Sequence, residues 1–321
     1  MRKSTTKKHT KMNVFFIAIL VVLILYTSLM FGLFLLGLNI SLKQFLDVEV
    51  NSNIFGLPDM KYWSIDREYK DNIFGNYLYA FENIKLEKAN SYIVGLFFKQ
   101  RVSAPIKGDI ISCTIYTFLY SGGGALFATF MPMFMGYLCA MYKNKASAFL
   151  YAMVVFLIAT PIVGTMPATV NLMRAIRLYD TFVGEWIRRS SFTNIYFLLF
   201  FAYFKGLSSG YSEAAEIDGA SQINVMFRIY LPLALNMFFT IYLILFVNLW
   251  NDFTTPMMYI PSKPTLSYAI YYTTTLDSGS SFNHATRRMA ALMVFAIPII
   301  IIFSIFNKQL MTNLTMGGMK E

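Results

Sequence analysis

The chain has 321 residues, of which 56% are hydrophobic and only 14% charged, with a mean hydropathy of +0.52. A soluble domain carries about 45–50% apolar and about 25% charged residues, so this composition excludes an ordinary soluble enzyme and points to a chain partitioned by a bilayer. Lys and Arg together number 27 against 17 Asp and Glu, a net charge of +10, and where those charges sit decides whether they face a membrane surface or nucleic acid.

An ionised side chain at the bilayer centre costs roughly 2.5–3.5 kcal/mol, so charge-free gaps mark the candidate spans. After a basic tail, residues 1–13, the gap from Lys11 to Lys43 holds a nearly continuous apolar run, 14–38. That run is too long for the apolar core of a signal peptide and lacks a small-residue cleavage site, so it reads as an uncleaved first helix. Residues 39–109 follow as a long segment with nine basic and nine acidic side chains between 41 and 109, balanced and solvated in this reading. At this length it is either a small folded cap or a docking surface.

The gaps Asp109–Lys143, Lys145–Arg174, Arg228–Asp252 and Arg288–Lys308 predict spans two, three, five and six. Arg189–Lys205 leaves only 15 uncharged residues and predicts span four if Lys205 snorkels outward. Cys113 and Cys139 fall in one apolar stretch, too few for a disulfide framework. Gly122, Gly123 and Gly124 inside span two predict close helix packing or a kink. The expected fold is therefore an all-α integral membrane protein with six transmembrane helices. Both termini are expected in the cytoplasm by the positive-inside rule, and the 39–109 segment outside it. Arg174, Arg177, Arg188 and Arg189 lie on the expected outer side, against that rule.

No Walker-type phosphate loop occurs, so the chain is not expected to hydrolyse ATP, and it is not expected to be an enzyme. His9 and His284 read as surface histidines, and no His-Glu-x-x-His or Cys-x-x-Cys pattern predicts a metal. With its basic residues in a tail and in loops between apolar runs, the chain is expected to meet lipid and not nucleic acid.

The stretch between spans four and five, 208–232, carries the one specific motif. Ser212 is placed to cap a helix containing Glu213, Ala214, Ala215 and Glu216, whose acids suit its N-terminal end. Asp218-Gly219 breaks that helix. A second helical run from Ala220 to Tyr230 then leads to Leu231-Pro232, which resets the chain into span five.

In this register Glu213-Ala214-Ala215, Asp218-Gly219-Ala220, Arg228-Ile229 and Leu231-Pro232 resemble the cytoplasmic coupling loop of ABC importer permeases. Met226 stands where many members have Phe, and its thioether fills the same apolar socket. Trp250-Asn251-Asp252-Phe253 with Pro256, then Met289-Ala290-Ala291 and Ile297-Pro298, then Thr315–Lys320, are similar to the carbohydrate class of those permeases, especially the second membrane subunit of the maltose importer. The similarity covers about 105–321, which makes 110–321 a permease core with spans two to six.

The resemblance implies a cytoplasmic-membrane permease of a prokaryote that moves a sugar or oligosaccharide by alternating access. Its implied partners are two ATPase subunits that bind ATP with Mg, a second homologous permease subunit, and an extracytoplasmic solute-binding protein. This chain itself is expected to hold no cofactor. The loop residues Glu213, Ala214, Ala215, Asp218, Gly219, Ala220, Arg228, Leu231 and Pro232 are implied to seat against an ATPase. For the solute path, Asn248, Asn251, Asp252 and Asn171 offer hydrogen bonds to hydroxyls and Trp250 a stacking face, although the same residues read more readily as helix caps and interfacial anchors. Pro161 and Pro167 mark either a cavity-lining break or an ordinary kink. Two other readings stay open: an importer of a peptide, amino acid or polyamine, and a membrane sensor or scaffold with 41–109 as its receptor part.

Overall fold

The computed structural model describes residues 14–65, 69–84, 86–88, 106–142, 144–160, 164–208, 210–276 and 281–316. The basic tail, Pro161 and the last four residues of the Thr315–Lys320 motif lie outside them. In chain order the elements are α1 (Val14–Ser41), α2 (Phe45–Glu49), α3 (Met60–Ile65), α4 (Gly75–Asn83), β1 (Leu86–Lys88), β2 (Ile106–Gly108), α5 (Ile110–Met141), α6 (Lys145–Ala159), α7 (Thr165–Ala175), α8 (Phe182–Arg189), α9 (Ile195–Lys205), α10 (Gly210–Ile217), α11 (Gln222–Leu233), α12 (Leu235–Asn251), α13 (Thr254–Tyr259), α14 (Leu266–Tyr271) and α15 (Ala285–Met316). Among the described residues the expectation of an all-helical chain has one small exception, the antiparallel pair β1–β2, in which Leu86 faces Gly108.

Two compact units form, residues 1–80 with 281–293, and 81–280 with 294–321. In the first, the described residues after α1 pack around buried side chains and are not the fully solvated segment their charge balance suggested. Lys43 is wholly buried, its ammonium donating to the carbonyls of Asn53 at 2.7 Å and Ile54 at 3.0 Å. The buried Asp47 carboxylate accepts from the Asn53 amide at 3.0 Å and the Asp59 backbone N–H at 3.2 Å. Trp63 donates its indole N–H to the Leu42 carbonyl at 3.2 Å. Such charges tolerate burial because each finds partners that replace water. His284 pairs with Glu49 at 3.0 Å and stacks on Phe45, so this histidine is held in place.

In the second unit Asp109 caps α5 by accepting from the Ser112 N–H. The helix winds through a π turn at Leu119–Gly123, where the glycine triplet begins. Of the two predicted uses of that triplet, close packing is seen: a Cβ on Gly123 would lie 2.3 Å from the Trp186 indole, and one on Gly124 2.9 Å from Leu249. Farther along, a Cβ on Gly136 would lie 2.9 Å from Phe200 Cβ and 3.0 Å from the Phe201 backbone nitrogen, so α5 and α9 meet backbone to backbone. Gly136→Val therefore forces the two helices apart, with an expected cost of about 1–3 kcal/mol. The check is a lower thermal midpoint in detergent, with Gly32→Val, where nothing lies within 4 Å, as the neutral control.

By length and composition three described helices suffice to cross a bilayer: Phe15–Ser41, Ile110–Met141 and Ala285–Ile305. The pair α11 and α12 passes the same test only when taken together, and it is bent by 63° between the two helices. Over the predicted third span the described residues form two helices, α6, closed by Thr160 in extended backbone, and α7, which follows Gly164 at φ +74°. At about 1.5 Å per residue the 15 residues of α6 cover only about 22 Å of a core about 30 Å thick. α9 is shorter still at 11 residues, in keeping with its short charge-free gap.

Candidate functional site

The loop predicted between α9 and α12 folds as a helix, a turn and a helix. The first helix begins at Gly210, so Ser212 lies inside it and is not its cap. It ends in two hydrogen bonds, Gly219 N–H to the Glu216 carbonyl at 3.0 Å and Ala220 N–H to the Ala215 carbonyl at 2.9 Å. That pairing is the Schellman closure, and it requires a left-handed residue at its hinge. Gly219 supplies it at φ +75°, with open space where a Cβ would stand.

Ser221 caps the second helix by accepting from Asn224 N–H, so the helix starts at Gln222, two residues later than expected. Leu231-Pro232 does not end this helix. Pro232 has no N–H to donate, and just before it the helix widens to a π turn in which Leu231 N–H reaches the Met226 carbonyl. The bend falls two residues later, at Ala234.

The loop has two contrasting faces. Ala215, Val225, Met226, Tyr230 and Leu231 are buried in one cluster with Tyr137, Phe200, Phe204 and Phe238, so Met226 does fill an apolar socket. Glu213, Ala214, Asp218, Gly219, Arg228 and Pro232 are exposed, and Ala220 is half-buried. Ile217, beside the turn, is 87% exposed, and Ile223 and Phe227 are also exposed. The outer face thus presents three carboxylates, those of Glu213, Glu216 and Asp218, around an uncovered aliphatic tip on a rigidly anchored base.

The candidates near the end of α12 separate. Trp250 is wholly buried, against Phe118 at 5.1 Å, Phe246 at 5.8 Å and Phe295 at 6.0 Å between ring centroids. This corrects its expected use as a stacking face, because its indole is part of the core. Asp252 is a joint: one carboxylate oxygen caps α13 by accepting from Thr255 N–H at 3.0 Å, and the other accepts from the Tyr120 hydroxyl at 2.8 Å and from Arg189 at 3.3 Å. Asn248 and Asn251 are exposed, the latter donating to the Val247 carbonyl at 2.8 Å. Asn171 is exposed on α7 and shares no hydrogen bond with them among the described residues.

Sequence reasoning missed the buried centre of this region. Glu185, 1% exposed on α8, receives Arg188 through two hydrogen bonds at 2.7 and 2.6 Å and Arg189 through one at 2.7 Å. Arg189 also donates to the Tyr120 hydroxyl. Arg188 lies over the Tyr259 ring at 4.4 Å, and Arg174 over Tyr179 at 4.7 Å. The i, i+3 and i+4 spacing of Glu185, Arg188 and Arg189 behind the Thr181 cap was the available signal. It also bears on the arginines that broke the charge rule, since two of the four are neutralised by Glu185 and Asp252. A second anchor, Asp180, accepts from Ser262 N–H at 3.1 Å and forms an ion pair with Lys263 at 3.9 Å.

A family model described as "Binding-protein-dependent transport system inner membrane component" matches residues 132–314, more than half of the chain. The chain is 28% identical over 232 residues to the arabinooligosaccharides transport system permease protein AraQ of Bacillus subtilis (strain 168), covering 67% of this chain and 81% of that one. It is 26% identical over 222 residues to the trehalose transport system permease protein SugB of Mycobacterium tuberculosis (strain CDC 1551 / Oshkosh), covering 67% and 79%. Among solved structures, a bacterial ABC transporter involved in the import of the acidic polysaccharide alginate superposes with a TM-score of 0.71 over 93% of this chain and 99% of that one. At 18% identity that likeness shows a common fold.

Proposed function

The chain belongs to the inner membrane components of binding-protein-dependent transport systems, and from that premise we propose that it is the permease half of an ATP-driven sugar or oligosaccharide importer. The reading takes residues 1–13 as a cytoplasmic tail, 14–38 as the first span, 39–109 as an extracytoplasmic segment and 110–321 as the permease core. Six spans put both termini in the cytoplasm, with α6 and α9 completed by the residues that adjoin them. The carbohydrate cargo is supported by the printed names of the relatives, which transport arabinooligosaccharides and trehalose. The partners are two ATPase subunits carrying ATP and Mg, a second permease subunit and an extracytoplasmic solute-binding protein.

The observation that carries this reading is the loop: an acidic, aliphatic-tipped helix whose C-terminal hinge is set by Gly219 and whose underside is bolted to the helix core. A helix that is exposed on one face and fully packed on the other transmits displacement to whatever it is packed against, because close-packed interiors do not absorb strain. Glu213, Ala214, Asp218 and Gly219 would contact the ATPase, while Ala215, Leu231 and the π turn pass the movement to α5, α9 and α12. Arg228 and Pro232 sit at the exposed rim. For the solute path, the exposed Asn248, Asn251 and Asn171 are the groups left free to face a cargo, and Asp252 holds the end of α12 in place.

Glu213→Lys reverses one charge on an exposed helix face, so the subunit is expected to insert and fold as before. The test is affinity purification from native membranes in mild detergent, with the co-purified chains identified by mass spectrometry. The wild type is expected to bring down an ATPase and a second permease, and the variant to lose the ATPase by about tenfold, the scale of one interfacial charge contact. Recovery of the chain without any ATPase in the wild type overturns the reading.

A further inference from the structure

An open cavity of about 820 Å³ lies where the end of α5 turns into α6, beside the end of α9. Its walls include Tyr142, Lys145, Tyr151, Phe201 and Lys205. A second cavity of about 700 Å³ shares Phe201 and Lys205 with it and reaches Ser212 on α10. Lys145 and Lys205 are both exposed, and neither ammonium has an ion-pair partner among the described residues. Lys205 is held over the Phe201 ring at 5.4 Å, and Tyr151 packs on the same ring at 4.5 Å between centroids. Two unpaired cations from two different helices therefore border one groove with an aromatic floor, at the ends of helices whose other surfaces are apolar.

We propose that this groove binds the phosphodiester headgroup of an anionic phospholipid, with Lys145 and Lys205 on the phosphate and the acyl chains along the apolar faces of α6 and α9. Basic pockets between membrane helices suit anionic headgroups, and tyrosines favour the headgroup level where one end of the ring is wet. An ordinary soluble anion would meet the same two charges but would leave the apolar wall of Tyr151 and Phe201 uncovered. The lipid bridges α6 to α9, and α9 leads through Gly206 directly into the loop helix, so the headgroup stiffens the frame from which the loop hangs. The proposal rests on α5, α6 and α9 lying in a membrane, the reading given above.

The experiment uses the assembled complex in nanodiscs of mixed phosphatidylglycerol and phosphatidylcholine, released for native mass spectrometry, with the retained lipids counted. Phosphatidylglycerol is expected to be retained over phosphatidylcholine by the wild type and by Lys145→Arg/Lys205→Arg. In Lys145→Gln/Lys205→Gln its retention falls about fivefold per lysine removed. Millimolar inorganic phosphate leaves it in place. Equal retention in the glutamine variant overturns the proposal, as does complete displacement by phosphate, which marks a site for the free ion. Failure of the complex to assemble with an ATPase sinks the transport reading instead, and lipid retention by the inserted chain is read independently of it.

Discussion

Replacing Gly219 by valine is expected to abolish uptake while leaving the subunit in the membrane, and replacing it by asparagine is expected to preserve most of it. The reason is the backbone. Gly219 sits at φ +75° with nothing within 4 Å of a built Cβ, so a side chain meets no obstacle in this subunit and the whole cost is conformational. An L-residue in that region costs about 1–2 kcal/mol, more when β-branched, whereas Asn visits it with little penalty. Valine is expected to undo the two closing bonds to Ala215 and Glu216, releasing Asp218 and Ile217 from their places at the tip. The core beneath, from Tyr137 to Phe238, is untouched, so expression and membrane insertion stay at wild-type levels. Uptake of labelled sugar into vesicles, measured beside a membrane blot, checks this. If asparagine fails as completely as valine, close approach by a partner and not backbone angle is what the glycine provides.

The largest expected effect on stability comes from Glu185→Ala. The Glu185 side chain has no solvent exposure, and Arg188 and Arg189 at its oxygens are 23% and 18% exposed. With Asp252 as the second carboxylate, at 3.3 Å from Arg189, two negative charges balance two positive ones. Removing Glu185 leaves one guanidinium without a counter-charge in a water-poor site, and breaking a buried pair from one side costs about 3–5 kcal/mol. Asp252→Asn is expected to cost markedly less, because Asp252 is partly exposed, Arg189 keeps Glu185, and the one amide oxygen still accepts from either Thr255 or Tyr120. The check is the monodisperse fraction in size-exclusion chromatography after graded heating in detergent. An order reversed between the two variants would show that the Asp252 end, and not Glu185, holds the network together.

Much of this was legible in one dimension. The first, second and last long helices follow from charge-free gaps because the penalty for an ion in hydrocarbon acts on each residue separately. The loop's helix-breaking turn followed from Asp218-Gly219, since a left-handed backbone requirement is a property of one residue and its neighbours. The errors were local in kind too. Ser212 read as a cap, but helix α10 starts two residues earlier at Gly210, and a proline expected to end a helix instead followed a π turn that accommodates its missing N–H.

The segment 41–109 looked solvated from its charge balance, yet Lys43 and Asp47 are buried because the carbonyls of Asn53 and Ile54 and the Asn53 amide satisfy them once the chain turns back. Pattern alone also offered Trp250 as a platform, and only packing against Phe118 and Phe295 made it core. Composition, the three long apolar helices and the loop's turn were thus determined by the sequence itself, through costs that each residue incurs on its own. The joining of Tyr120 and Asp252 to the local Glu185–Arg189 pair was decided by tertiary structure alone. The partners stand 132 and 63 positions apart in the Tyr120–Asp252 and Arg189–Asp252 pairs, and a buried charge reveals its purpose only when the fold brings its partner within about 3 Å.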